Sequence, residues 1–174
     1  YKCRAGDFAD TKASVLGDFV AVKLGMEEGE TPIFLAVTDD YKGHMLFFFA
    51  NGKCARVPLS SYATKQNRKK LLNAYSDKEP LAAMLQLPES EELAVRTSAG
   101  RLLLVHSTQI SEKTTRDSAG VSVITLKKNQ TIESVKPASS MELANPHRYR
   151  VRTLPAAGAL LREEDLAEQL QLTF

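Results

Sequence analysis

An all-β, propeller-like array of about three short-stranded units, followed by a short C-terminal helix, is the fold that this 174-residue sequence predicts. Two observations predict it. Met45-Leu46-Phe47-Phe48-Phe49-Ala50-Asn51-Gly52-Lys53 returns 48 positions later as Leu93-Ala94-Val95-Arg96-Thr97-Ser98-Ala99-Gly100-Arg101: an apolar run, a small-residue turn with glycine, then a basic residue. The same offset carries Val57 onto Val105, Tyr62 onto Ile110, Lys65 onto Lys113, Arg68 onto Arg116 and Pro32–Val37 onto Pro80–Leu85, and Ile132–Val135 is a looser third copy. Repeats of about 40 to 50 residues made of short strands belong to arrays in which each unit buries its apolar face only against its neighbours. The second observation is the dipeptide Asn51-Gly52 between two apolar runs, a hairpin signal because both residues tolerate the positive φ of tight turns.

In chain order, Leu16 to Leu24 reads as a strand ending in the turn Gly25 to Gly29, and Ile33 to Val37 as a short buried strand before the turn Asp39 to Gly43. Met45 to Phe49 and Cys54 to Pro58 form the first hairpin. Ser60 to Lys70 is polar and basic without apolar periodicity, an exposed arm leading to a strand at Leu71 to Tyr75, and Leu81 to Leu87 closes the unit. The second hairpin, Leu93 to Thr97 with Leu102 to His106, turns through Ser98-Ala99-Gly100. A second arm, Ser107 to Ala119, precedes strands at Gly120 to Leu126 and Thr131 to Val135, and Pro137 to Pro146 is a loop. His147 to Leu154 alternates, with Arg148, Arg150 and Arg152 on one face and Tyr149 and Val151 on the other. This strand is expected to cover the open edge of the first unit, since a bare edge invites aggregation. Leu160 to Leu172 reads as an amphipathic helix with Leu161, Leu166 and Leu170 on its apolar side. The domain plan is therefore a β domain over residues 1–154, with repeats near 1–40, 41–88 and 89–137 and a closing strand at 147–154, and an acidic helical tail over 155–174.

The chain is long enough to bury a core without disulfides or metal. Its 43% hydrophobic and 25% charged residues are ordinary for a globular protein, and its longest apolar run, Met45 to Ala50, is far too short to cross a bilayer. The first residue is tyrosine, so a segment of a longer protein is expected. Cys3 and Cys54 have neither metal nor disulfide spacing, which favours free thiols in a reducing cytoplasm. The net charge of +2 is split: residues 161–174 carry −3 and residues 1–160 carry +5. A basic body suits an anionic partner. The acidic tail is placed to compete for it, or to cap the domain through Leu166 and Leu170.

Candidate contacts to an anionic partner such as nucleic acid follow from the arms. Lys65, Gln66, Asn67, Arg68, Lys69 and Lys70 place four cations and two amides in six residues, and Lys113, Thr114, Thr115 and Arg116 recur at the equivalent point of the next unit. Such side chains hold phosphates without reading bases, so affinity depends on salt rather than sequence. Arg148, Arg150 and Arg152 are a second candidate surface. His44, His106 and His147 lack ligand or triad spacing and read as structural. Tyr41, Tyr62, Tyr75 and Tyr149 read as packing residues and Phe47-Phe48-Phe49 as core; Gly25, Gly29 and Gly43 form no phosphate loop before a helix.

Leu46 to Arg56, Lys65 and Arg68, Leu71-Leu72-Asn73 and Leu81 to Leu85 are echoed by Gly100-Arg101, Lys113, Arg116, Gly120 to Leu126 and Thr131 to Val135. This pattern, covering most of residues 1–137, resembles the C-terminal domain of the A subunit of bacterial type IIA topoisomerases, DNA gyrase and topoisomerase IV. The resemblance implies a β-pinwheel whose blades exchange strands, with duplex DNA bent round a basic rim. It also implies a non-catalytic module without cofactor of its own, inside a bacterial cytoplasmic enzyme whose ATP and Mg belong elsewhere. The expected partners are double-stranded DNA, the rest of the A subunit, which holds the cleavage centre, and the ATPase B subunit. The sequence departs from that family in supplying about three units where a full domain has five or six, and in lacking the glutamine- and arginine-glycine-rich box of gyrase, which favours a topoisomerase IV-like or reduced member. The rival expectation is a protein-interaction module in which the arms dock a partner protein and nucleic-acid binding is incidental.

Overall fold

The computed structural model describes residues 1–64 and 69–165. Its strands form two four-stranded antiparallel sheets. The first contains β1 (His44–Phe49), β2 (Lys53–Pro58), β3 (Leu81–Leu87) and β6 (Val121–Ser122), in the order β3-β1-β2-β6. The second contains β4 (Glu92–Thr97), β5 (Arg101–His106), β7 (Ile132–Pro137) and β8 (Ala159–Leu160), in the order β7-β4-β5-β8.

Both hairpins form where the repeat predicts them. The N–H groups of Gly52 and Gly100 donate to the carbonyls of Phe49 and Thr97, each at 3.0 Å, and both glycines take positive φ (88° and 67°). Asn51 needs no positive φ here; glycine alone supplies it, as in a three-residue hairpin. The strands are unbroken apolar runs because both faces of each sheet are covered. Leu46 and Phe48 of β1 meet Leu93, Val95, Leu103 and Val105 of the second sheet in one central core. Met45, Phe47 and Phe49 face the other way, under Tyr41, Tyr62 and Tyr75, with Tyr75 stacked on Phe47 at 5.6 Å. Ala94, Leu102 and Leu104 face outward beneath Tyr149, Met141 and Leu161. Truncating a side chain as enclosed as Phe48 to alanine costs about 3–5 kcal/mol.

The repeat extends to individual hydrogen bonds. Leu59 N–H donates to Gly43 O (2.9 Å) and Ser107 N–H to Glu91 O (2.8 Å); a bulge falls at Phe48/Phe49 and again at Arg96/Thr97. Each sheet is completed by a strand from farther along the chain. Residues 112–122 run along β2, first in a parallel bridge between Arg56 and Glu112 and then as β6. Residues 150–160 repeat this along β5, through a Leu104–Arg150 bridge and then β8, now 38 positions on. We call these two segments straps.

Several expectations are corrected. Two sheets stand where the sequence predicts about three units, and residues 1–43 contain no strand. Leu16 to Leu24 instead ends in a five-residue helix, α1 (Val20–Leu24), because Gly25 takes a left-handed cap and Met26 N–H reaches back to Ala21 O (2.8 Å). Ile33 to Val37 is exposed and is hydrogen-bonded to β3 through Gln86, whose amide bonds both backbone groups of Val37. Leu71 to Tyr75 is a turn and Gly120 to Leu126 shortens to β6. Ile132 to Val135 lies in β7, the counterpart of β3 rather than of β1. His147 to Leu154 is not a strand and covers no edge of residues 1–40: Pro146 opens a single 3₁₀ turn, Pro146–Arg148, and the rest straps the second sheet. Leu160 lies in β8 rather than in a helix. Leu166 and Leu170 lie outside the described residues.

Candidate nucleic-acid interface

The first strap carries Lys113, Thr114 and Arg116 along the outer edge of the first sheet. Its backbone is fixed by Lys113 N–H donating to Arg56 O (2.8 Å) and by Ser61 Oγ donating to Thr114 O (3.3 Å). Arg116 lies over the Tyr62 ring at 5.9 Å and donates to Leu72 O (3.4 Å). Thr114 and Thr115 are exposed; Lys113 and Arg116 are half-buried. A side-chain clasp holds the strap at its start: Glu112 Oε2 meets His44 Nε2 at 2.7 Å, and Arg56 Nη2 lies 3.1 Å from the same nitrogen. The second sheet has the same clasp with other charges, Arg150 Nε and Nη2 donating to the two oxygens of Glu92 at 2.7 and 3.0 Å. Gln109 Nε2 donates to the carbonyls of Val151 and Arg152 where Ser61 serves the first strap.

The predicted residues therefore divide. Lys65, Gln66, Asn67 and Arg68 lie outside the described residues. Lys69 is exposed, its carbonyl accepting from Lys2 N–H (2.6 Å). Lys70 is already engaged, donating to Glu27 (2.7 Å) and Glu30 (2.9 Å) beside the Tyr1 ring. Hydrogen bonds from Tyr1, Lys70 and the Glu27 N–H hold the Glu30 carboxyl down to about 2. Arg150 is tied into its clasp, while Arg148 and Arg152 are exposed, on different local structures rather than one strand face. Each histidine has a local partner: His44 in the clasp, His106 capping Thr108, and His147 beside Arg150 at 3.3 Å. Cys3 and Cys54 are free thiols, and burial raises the pKa of Cys54.

Sequence reasoning missed the carboxylates that partner these cations, Glu27, Glu30, Glu92 and Glu112. The 48-residue offset held a signal for two of them, since it aligns His44 with Glu92 at the first residue of each hairpin. It also missed Ser61, Asn73 and Asp117, which with Thr114, Thr115 and Arg116 line an open polar cleft of about 430 Å³.

Sequence comparison reaches the second unit. The family described as DNA gyrase C-terminal domain, beta-propeller, matches residues 91–139, the span from β4 through the first strap to β7. No curated protein matches the chain in sequence. Among solved structures, the crystal structure of the C-terminal domain of DNA topoisomerase IV aligns with a TM-score of 0.73 at 20% identity, over 94% of this chain and 56% of that one. The fold is that of the gyrase and topoisomerase IV C-terminal domains. The E. coli ParC C-terminal domain aligns at 0.62 and 12% identity, over 87% of this chain and 68% of that one. The DNA gyrase A C-terminal domain aligns at 0.53 and 14%, over 72% and 46%. This chain thus spans about half the length of the topoisomerase IV and gyrase domains. In pinwheel terms its two sheets are two blades, and the straps are the exchanged strands that join each blade to later sequence.

Proposed function

We propose that this chain is the DNA-binding and DNA-bending module of a type II topoisomerase A subunit, positioning duplex DNA for ATP-dependent strand passage. The module itself performs no chemistry. Cleavage, ATP and Mg²⁺ belong to the rest of the A subunit and to the ATPase B subunit, in a bacterial cytoplasmic enzyme. The observation that carries the reading is the match of residues 91–139 to the gyrase domain, because that segment contains the strap on which Lys113, Thr114 and Arg116 stand. Among the described residues no helix is long and apolar enough to cross a membrane.

The test is salt-titrated fluorescence anisotropy on a linear duplex of about 100 base pairs, shorter than the persistence length of about 150, with end-labels reporting bending by energy transfer. Binding that weakens steeply with salt, ignores sequence and shortens the end-to-end distance supports the module. A second reading, a protein-interaction module, is favoured by the apolar side chains exposed along residues 15–37, Leu16 (97%) and Leu35 (80%) among them. Changing Lys65, Arg68 and Lys113 to Glu abolishes DNA binding under the first reading and leaves partner docking measurable under the second.

A further inference from the structure

We propose that the cleft between the first strap and the turn at residues 71–75 is a seat for one phosphodiester of the DNA backbone, with Ser61 and Asn73 as members that the arm pattern does not reveal. The proposal rests on the DNA-binding reading and names the contact that the first strap makes.

All six residues lining the cleft are polar: Ser61, Asn73, Thr114, Thr115, Arg116 and Asp117. Arg116 is the cation among them. Its guanidinium is oriented by the Tyr62 ring and donates to Leu72 O, and a guanidinium has five N–H donors, so a planar fork remains for a phosphate. Stacking fixes the fork before ligand arrives, which lowers the entropy lost on binding. The hydroxyls of Thr114 and Thr115 and the amide of Asn73 have no protein partner among the described residues and can donate to phosphate oxygens. Ser61 ties the two walls together through Thr114 O. Asn73 is held at φ 54°, a left-handed conformation that asparagine accepts more readily than most residues.

Asp117 gives the seat its selectivity. A carboxylate beside the fork repels an anion in proportion to its charge, so a singly charged phosphodiester is tolerated better than free phosphate, which carries between one and two charges near neutral pH. The second blade does not repeat this charged group. Strap positions 38 residues on from Arg116 and Asp117 hold Leu154 and Pro155, so the second strap does not repeat the seat.

The experiment measures duplex affinity and its salt slope for Thr115→Val, Asn73→Gly, Arg116→Gln and Asp117→Asn, with the thermal midpoint of each. Asn73→Gly keeps a left-handed backbone and Thr115→Val keeps the side-chain shape, so both should fold as the parent does. Each of these two is expected to weaken binding several-fold. Arg116→Gln is expected to weaken it roughly tenfold and to make the slope of log K against log salt shallower by about 0.9, one phosphate's share. Asp117→Asn is expected to tighten binding, a sign that a purely structural role would not give. If the parent binds duplex and all four variants bind it equally, the seat is wrong and the DNA-binding reading stands. If the parent binds no duplex, both fall. Displacement of duplex by inorganic phosphate at an ionic strength where chloride has no effect would assign the cleft to free phosphate and overturn the proposal.

Discussion

Gly120 and Gly158 show how far the repeat constrains single residues. Both take positive φ (75° and 67°), both sit on a strap 38 positions apart, and both press against the hairpin strand they complete. A Cβ on Gly120 would lie 2.3 Å from the carbonyl carbon and oxygen of Cys54, and one on Gly158 2.7 Å from Leu102 O. These obstacles are backbone and cannot swing aside. Gly120→Ala is therefore expected to cost about 3 kcal/mol or more, combining left-handed strain with displacement of the strap. Gly100→Ala is the control: its φ of 67° carries the same strain, but nothing lies within 4 Å, and about 1 kcal/mol is expected. Urea unfolding at constant m reads the difference. Equal losses at the two sites would mean that the strap does not pack on β2.

At the scale of elements, the hairpins were legible and the straps were not, for a physical reason. A hairpin closes within about a dozen residues, so its turn glycine and apolar runs lie side by side in sequence. A strap pairs with a strand more than 45 residues earlier, and it does so with two ladder residues and one bridge, too few to impose a period. Thus Lys113 and Arg116 were found as recurring cations, whereas the pairing of Val121 with Cys54 was invisible. Residues 1–37 misled in the opposite direction: Val20, Val22, Ile33 and Val37 look like strand residues, but a strand needs a ladder on a neighbouring edge, and the bonds to β3 here come from the Gln86 side chain rather than from backbone. The alternation at Arg148 to Arg152 was equally deceptive, because one buried tyrosine among arginines imitates a pleat. Glu112 and Arg150 show what stabilises a strap in place of a ladder. Arg150→Ala should lower the thermal midpoint slightly at low salt, and the difference should shrink at high salt, since both side chains of the Arg150–Glu92 pair remain partly exposed, 43% and 27%. A difference that persists unscreened would show that Arg150 acts by packing rather than by charge.

Across the whole molecule, charge is segregated by segment. Residues 44–160, which hold both blades, carry 17 Lys and Arg against 9 Asp and Glu, a net of +8; residues 1–43 and 161–174 carry −3 each. The acidic N-terminal segment is folded onto the basic one: Glu27 and Glu30 hold Lys70, and Lys2 joins the same junction at Tyr62 O and Thr64 Oγ1. A phosphate arriving at Lys70 must therefore displace two carboxylates. Changing both to glutamine keeps their shape and removes their charge, so Glu27→Gln with Glu30→Gln is expected to tighten duplex binding and to steepen the salt slope by up to about 0.9, as Lys70 becomes one more counterion-releasing contact. Acid should act on the same contact. The anionic form of Glu30 is favoured in the folded chain, with a pKa near 2 against an ordinary 4.5, so its hold on Lys70 is complete above about pH 4.5 and is lost as pH falls toward 2. Between pH 6 and 8 the parent and the double variant should therefore differ in affinity by a constant factor. A gap that changes across that range would show that a group other than Glu27 and Glu30 controls access to the basic face.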